Sequence, residues 1–227
     1  MSEPKNTNLR TEWLPIAMLA ITAISGFFYY PSFPDRVPSH WNISGQVDGW
    51  SSPLFASFFL PALILIIYLL LLLAPRLDPK KERYQEFGRT YHILKNSIIG
   101  FMALLYQLIS LNGLGYDLPI GDIVPAMVGL LFILIGNYMS KLKLNWFMGA
   151  RTPWTLSSET VWNKTNRLSG KLFVLGGLIM VLEIFFPAAW KIPLLLLVVL
   201  SVSLFPTIYS YIIFSKEEKN KKAINRK

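Results

Sequence analysis

The loop at residues 31–53, PSFPDRVPSHWNISGQVDGWSSP, contains side chains that could bind a ligand. Asp35, His40 and Asp48 are residue types that ligate metals, but their spacing matches no known metal site. With the two tryptophans of the loop they could instead clasp a peptide, because Trp is a frequent anchor at the centre of interfaces. The predicted peptide-binding residues are Asp35, His40, Trp41, Asn42, Gly45, Asp48, Gly49 and Trp50.

The same loop has the pattern of a small β-hairpin. In HWNISGQVDGW, apolar and polar residues alternate on either side of Ser44 and Gly45. Trp41 and Trp50 would then lie near the lipid headgroups, where an indole ring is buried while its N–H stays hydrated. The hairpin is therefore interpreted either as a lid over the ends of neighbouring helices or as a receptor surface for an external peptide.

A second polar segment, GARTPWTLSSETVW at residues 149–162, lies between long apolar runs. Pro153 excludes Thr152 from the helical region, which predicts an elbow. Ser157 as N-cap and Glu159 in the first turn predict a following amphipathic helix. The segment is either a packed elbow with interfacial aromatic anchors, or a docking face or latch for a cytoplasmic partner. That face or latch would comprise Arg151, Thr152, Pro153, Trp154, Thr155, Trp162, Asn166 and Arg167.

Polar residues are sparse inside the apolar runs, where Gln107, Asn137 and Glu183 are the most notable. An acidic residue at the centre of a bilayer costs about 2.5 to 3.5 kcal/mol on insertion scales. Glu183 could pair with Lys191, extend its carboxylate toward water, or bind a proton. A single acidic side chain without a relay of others is weak support for a transporter.

Motifs of enzymatic chemistry are absent from the sequence. It contains no H-E-x-x-H, no G-x-S-x-G and no glycine-rich phosphate loop. The lack of cysteine excludes disulfides and thiol catalysis. We therefore expect a protein that is not an enzyme and that holds neither a cofactor nor a metal.

Composition identifies the chain as a membrane protein, since 53% of its residues are hydrophobic and only 15% are charged. Crossing a hydrocarbon layer of about 30 Å requires roughly 17 to 25 mostly apolar residues in a helix. The sequence contains six such runs, which predict an all-α integral membrane protein with six transmembrane helices. The spans are predicted at about 13–30, 54–74, 97–114, 123–139, 172–187 and 192–214.

Basic residues predict the orientation of this bundle. With six spans, one side of the membrane holds 20 of the 22 Lys and Arg residues, and only Arg36 and Lys191 fall on the other side. The positive-inside rule therefore places both termini in the cytoplasm and the hairpin loop outside. The net charge of +9 then reflects topology and attraction to anionic lipid, so we expect no direct nucleic-acid binding. Besides the amino terminus, the cytoplasmic segments would be 75–96, 140–171 and a basic tail at 215–227.

The cytoplasmic segment 75–96 repeats large apolar residues at helical spacing. Tyr84, Phe87, Tyr91 and Leu94 recur every three or four residues. This pattern predicts an amphipathic helix on the inner leaflet, with Phe87 and Tyr91 inserted into the lipid. A solvated charged loop is the alternative.

Two stretches of the sequence resemble the SdpI family of bacterial membrane proteins. GARTPWTLSSETVWNKTNRLSGKLFVLGG, residues 149–177, is similar to the family signature through Arg151–Leu156, Glu159–Trp162 and Asn166–Arg167. FPDRVPSHWNISGQVDGW, residues 33–50, is similar to a second family element, usually of the form P-D-x-x-P-x-H-x-N-x-x-G-x-x-D-G-W. Together they reach from the end of the first predicted span to the middle of the fifth.

This resemblance implies an immunity protein and receptor in the bacterial cytoplasmic membrane. The family's namesake protects its cell from a secreted, membrane-active peptide toxin, and toxin engagement lets it hold a cytoplasmic winged-helix autorepressor at the membrane. The implied partners are thus a peptide toxin on the outer face, a winged-helix repressor on the inner face, and membrane lipids. A small-solute or proton-coupled transporter is the alternative function.

Overall fold

The computed structural model describes the backbone of residues 9–42 and 44–224. This part of the chain contains seven α-helices, three-residue helical turns and one two-stranded antiparallel hairpin. In chain order the helices and strands are α1 (Leu9–Tyr29), β1 (Val37–Trp41), β2 (Val47–Ser51), α2 (Pro53–Leu77), α3 (Tyr84–Gly113), α4 (Ile120–Met139), α5 (Pro153–Ser157), α6 (Glu159–Leu182) and α7 (Lys191–Ile224). All of the helices except the five-residue α5 are long and apolar enough to cross a membrane, which confirms the predicted class with six spanning helices.

The two ends of the bundle carry different structures. The hairpin connects α1 to α2, whereas residues 140–158 connect α4 to α6 and include α5. The chain reverses direction at each connection between spanning helices. The hairpin is the first of these connections and residues 140–158 the fourth, so the two segments lie at opposite ends of the helices. We refer to them as the hairpin end and the elbow end, and to residues 140–158 as the elbow. The distribution of basic residues predicts that the elbow end is cytoplasmic.

The helices form two groups that meet where α3 packs on α4. Helices α1, α2 and α3 pack against one another, while α6 packs extensively on α4 and also against α7. Gly136 and Gly129 of α4 face Gly170 and Gly177 of α6, and a Cβ added at Gly136 would lie 2.5 Å from the Gly170 carbonyl oxygen. The two backbones can approach this closely because both sides of each meeting point lack a side chain.

Helix α3 differs from the prediction for the segment 75–96 in what covers its apolar face. It begins at Tyr84 and is kinked at Phe87, whose φ of −135° and ψ of 19° are not helical. The rings of Phe87 and Tyr91 are each 3% exposed and pack in a protein core with Trp162. The expected helix exists, but placing these two rings in the lipid was wrong, because the elbow and α6 cover that face.

The start of α6 differs from the prediction by one residue. Ser158, not Ser157, is the N-cap, and its hydroxyl accepts a hydrogen bond from the N–H of Val161. Thr152 is extended, with φ −128° and ψ 163°, as the following Pro153 requires, and it caps the short helix α5 reciprocally with Thr155. From Glu159 the chain continues as one helix into the membrane, so the amphipathic segment and the fifth span are a single element.

Candidate functional site

The hairpin at residues 37–51 is shaped by its turn. Val37 pairs with Ser51 and Trp41 with Val47, with an irregularity around His40. At the turn, the Asn42 side-chain oxygen accepts hydrogen bonds from the N–H groups of Ser44, at 2.9 Å, and Gln46, at 3.0 Å. Gly45 has a φ of +77°, which glycine adopts without strain. The predicted hairpin is therefore present, and Asn42 and Gly45 form its turn.

One side of the hairpin covers the ends of two helices. Val37 is 1% exposed and sits against Gly113 at the end of α3, where an added Cβ would lie 2.8 Å from the Val37 Cγ1 atom. At the other end of the hairpin, the backbone of Gly45 meets Gly121 in the first turn of α4. The hairpin thus has the geometry of a lid across α3 and α4.

The opposite side of the hairpin presents charged and aromatic side chains. The Nδ1 atom of His40 lies 2.5 Å from Oδ1 of Asp48, and both side chains are largely exposed. The Arg36 guanidinium carbon lies 4.8 Å from the centre of the Trp50 ring, which is 48% exposed. Asp35, which precedes the hairpin, is exposed, and Trp41 is half-buried. Gly49 lies directly beside His40, since a Cβ added at Gly49 would lie 2.9 Å from the His40 Cβ. Within residues 9–42 and 44–224 no cluster of three metal-ligating side chains occurs.

Gly149 of the elbow packs closely against Trp162 and Asn166 of α6. Gly149 has a φ of +115°, and an added Cβ would lie 2.7 Å from Asn166 Oδ1 and 3.1 Å from the Trp162 ring. Asn166 Oδ1 accepts from the N–H of Ala150 at 2.9 Å, and Trp162 Nε1 donates to the Leu142 carbonyl at 2.9 Å. These contacts explain physically why this packing requires a glycine at 149, a tryptophan at 162 and an asparagine at 166.

Two buried polar residues that the sequence did not single out complete the elbow. Asp78, after α2, is 2% exposed and accepts hydrogen bonds from the Tyr84 hydroxyl at 2.9 Å and from the N–H of Trp146 at 2.8 Å. Asn145 is fully buried, and its side-chain oxygen accepts from the N–H groups of Phe147 and Met148. Asp78 lies in a charged stretch of the sequence and Asn145 next to Trp146 and Phe147, and neither context reveals the partners of the side chain.

The elbow is also tied to the last helix. The hydroxyls of Thr152 and Ser210 lie 3.0 Å apart, and the Trp154 and Tyr211 rings meet edge to face at 5.1 Å. Ser158 donates to Glu217 at 2.7 Å. Movement of α7 would therefore change the environment of the elbow directly.

The predicted docking or latch residues divide by exposure. Thr155, Trp162 and Asn166 are at most 1% exposed and hold the elbow together from inside. Thr152 and Trp154 are half-buried against α7. The exposed members of the set are Arg151, Pro153 and Arg167, and the Arg151 guanidinium donates to the Trp146 carbonyl at 2.5 Å.

Known proteins match the chain in both of these regions. The sequence model of the SdpI/YfhL protein family matches residues 141–210, and that of a domain of unknown function (DUF1648) matches residues 17–65. Immunity protein SdpI of Bacillus subtilis (strain 168) is 28% identical over 203 residues, which are 89% of this chain and 95% of that protein. The chain is therefore similar to members of the SdpI family. No solved structure matches it.

The regions of the chain that these comparisons match coincide with the two sites. The SdpI/YfhL match contains the elbow from residue 141 onward, including α5, all of α6, and α7 as far as Ser210. The second match contains most of α1, the whole hairpin and the first half of α2. The six spanning helices and this relationship establish a multi-pass cell membrane protein.

The three intramembrane polar residues Gln107, Asn137 and Glu183 do not converge in the fold. Gln107 accepts from the Tyr29 hydroxyl at 2.6 Å and donates to Ser25 at 3.1 Å. Asn137 donates to the carbonyl of Ile133 in its own helix. Glu183 is 5% exposed, and the Lys191 ammonium, one of the three alternatives considered for it, binds Asp122 at 2.6 Å.

A buried ion pair that the sequence did not predict lies near the elbow end. The Lys95 ammonium lies 2.5 Å from Glu12 Oε2, and the Tyr68 hydroxyl donates to the same oxygen at 3.1 Å. Lys95 is 1% and Glu12 5% exposed. The pair joins α1, α2 and α3. Glu12 precedes an apolar run and Lys95 lies in a basic segment, so each residue alone suggested an exposed charge.

Proposed function

We propose that this chain is a membrane immunity protein that protects its cell from a secreted peptide toxin. The observation that carries the proposal is the alignment with Immunity protein SdpI of Bacillus subtilis along 95% of that protein. A correspondence over nearly the full length includes most of the membrane helices and their connections, rather than one shared module.

The toxin-facing surface in this proposal is the exposed side of the hairpin. Trp50 offers a large apolar ring that is half accessible, and Arg36, His40 and Asp48 surround it with charges of both signs. A Trp beside such charges is a typical anchor for an amphipathic peptide. The lid and receptor interpretations combine here, because the covered side of the hairpin rests on α3 and α4 while the exposed side binds.

The finer part of the proposal is signalling to a cytoplasmic repressor at the elbow end. Arg151 and Arg167 are exposed cations, and the elbow is tied to α7 through Thr152 and Ser210. Occupation of the hairpin would alter the packing of α4 on α6, and α6 begins at the elbow. A winged-helix autorepressor would then bind at the exposed arginines.

Membrane recruitment tests this finer part. A fluorescent fusion of the Bacillus subtilis winged-helix autorepressor is expressed with this chain, and its membrane fraction is measured with and without toxin. We expect toxin-dependent recruitment that falls with Arg151→Ala, while Lys164→Ala, an exposed cation on the same side of the bundle, leaves it unchanged. Recruitment that is independent of toxin, or equal in both variants, would remove signalling from the proposal and leave immunity standing.

The transporter alternative receives no support from the positions of the polar residues described above. Glu183→Gln separates the two functions, because a proton-coupled transporter with this acid in its path would lose activity. We expect the variant to protect cells as well as the wild type at equal membrane abundance. Loss of protection in a normally inserted Glu183→Gln protein would favour transport.

A further inference from the structure

An apolar groove of about 520 Å³ lies between α1, α3 and α4, where the two groups of helices meet. Leu104 and Leu130 border it and are 64% and 60% exposed, so the groove opens sideways from the bundle. In a spanning protein this direction is the hydrocarbon of the bilayer. Its walls include Leu14, Met18, Gly100, Leu104, Leu130 and Leu134.

The groove has the length and polarity of one lipid chain. From Ile93 to Leu104 helix α3 rises about 16 Å at about 1.5 Å per residue, roughly half of a hydrocarbon core of about 30 Å. Asn96 and Ser97 line the groove toward the elbow end, whereas side chains nearer the hairpin end are apolar. An occupant would therefore carry its polar group at the elbow end and its hydrocarbon toward mid-membrane.

Two cations continue the walls of the groove at that polar end. Arg89 precedes Ile93 by one helical turn on the same face of α3, is exposed, and has no ion pair within the described part of the chain. On the other wall, Tyr138 follows Leu134 by one turn of α4, and the exposed Lys141 ammonium lies 4.5 Å from the centre of its ring. Arg and Lys between helices at the membrane surface bind anionic headgroups.

We propose that this groove binds one anionic phospholipid of the elbow-side leaflet. The acyl chain lies along Gly100, Leu104 and Leu130, and the phosphate lies between Arg89 and Lys141. Charge complementarity selects this occupant, because the apolar face of a second copy would leave both cations unused and a zwitterionic headgroup would bring its own cation close to them. The bound lipid fills the seam between the two groups of helices, independently of the proposed immunity function.

Native mass spectrometry of the purified protein in detergent tests the proposal. We expect titration with phosphatidylglycerol to show one tight site, and phosphatidylcholine to bind more weakly. The double variant Arg89→Gln with Lys141→Gln should lose roughly fivefold in phosphatidylglycerol affinity for each cation removed. The matched control is Arg167→Gln with Lys164→Gln, which removes the same charges from exposed positions on α6 and should leave the tight site intact.

Filling the groove gives a second, independent measurement. Gly100→Leu adds a side chain against the flexible end of Met18, and Leu104→Trp enlarges an exposed wall; both should abolish tight binding. Ala23→Leu, which fills a different apolar groove between α1 and α2, should not. Equal affinity for the two lipids, equal loss in the two charge variants, or a change from dimer to monomer on filling the groove would each overturn the proposal.

Discussion

His40 and Asp48 face each other across the hairpin, with 2.5 Å between Nδ1 and Oδ1. Their pairing lies on the exposed side, next to Arg36 stacked over Trp50. The hairpin is held on the bundle by other contacts, those of Val37 with Gly113 and of Gly45 with Gly121. Binding and support are thus separated on the two sides of one small element.

The exposed pair should contribute little to folding. Ion pairs in solvent are worth about 0 to 1 kcal/mol, so Asp48→Ala should change the free energy of unfolding by about 1 kcal/mol or less. The measurement is unfolding of the purified protein followed by circular dichroism, with Asp117→Ala, another exposed acid at the hairpin end, as control. A loss of more than about 2 kcal/mol would mean that the pair holds the lid closed.

The natural lack of cysteine allows the orientation to be tested without removing any residue. Ser39→Cys in the hairpin and Ser157→Cys in the elbow place single thiols at exposed positions at opposite ends of the helices. Because the predicted spans assign 20 of the 22 Lys and Arg residues to the elbow side, a membrane-impermeant maleimide should label intact cells at position 39 only. Labelling of position 157 before permeabilisation would reverse the orientation.

The glycine contacts between α4 and α6 should not tolerate a side chain. A Cβ at Gly136 would lie 2.5 Å from the carbonyl oxygen of Gly170, so Gly136→Val forces the helices apart and should cost about 1 to 3 kcal/mol. Gly88→Ala is the matched control, since a Cβ there meets nothing within 4 Å. That control should be neutral or stabilise α3 by up to about 1 kcal/mol. Equal thermal stability of Gly136→Val and wild type would contradict the close packing.

Breaking the buried ion pair from one side should be more harmful than removing it entirely. Lys95→Met leaves the Glu12 carboxylate buried without its cation and should cost about 3 to 5 kcal/mol. Adding Glu12→Gln should recover part of that loss, because no uncompensated charge remains. Lys221→Met, in an exposed pair with Glu218, should leave the free energy of unfolding almost unchanged. Additive effects of the two buried substitutions in unfolding experiments would show that the residues do not interact.

Hydropathy and charge could predict the class of fold, the number of helices and the hairpin, because each depends on local composition and spacing. The helix at residues 84–96 was also predictable from spacing, but what covers it was not. Phe87 and Tyr91 have the same helical pattern whether lipid or Trp162 packs on them, and Trp162 is 71 residues further along the chain than Tyr91. Such non-local packing leaves no local signal.

The candidate sites show the same limit. Trp162 and Asn166 were recognisable as part of a family signature, but their contacts with Gly149 required the fold to bring them together. Glu12 and Lys95 are 83 residues apart, and each is compatible with an exposed position when read alone. The role of Asp78 could not be predicted either, because the hydrogen bond that it accepts from the Trp146 N–H forms only when the elbow packs against the end of α2.

The most direct test of the central claim is toxin protection in a Bacillus subtilis strain that lacks its own SdpI. The wild-type chain and the variants Trp50→Ala and Trp190→Ala are expressed at matched membrane levels. Trp190 serves as the control because it is a similarly exposed tryptophan at the hairpin end but outside the hairpin. Survival is then measured against increasing amounts of toxin-containing supernatant. We predict that the wild type and Trp190→Ala protect the cells. Cells that express Trp50→Ala should be killed by at least about tenfold less toxin than cells that express the wild type, as loss of a binding hot spot implies. Killing of wild-type-expressing cells at the toxin concentration that kills the empty strain would contradict the account.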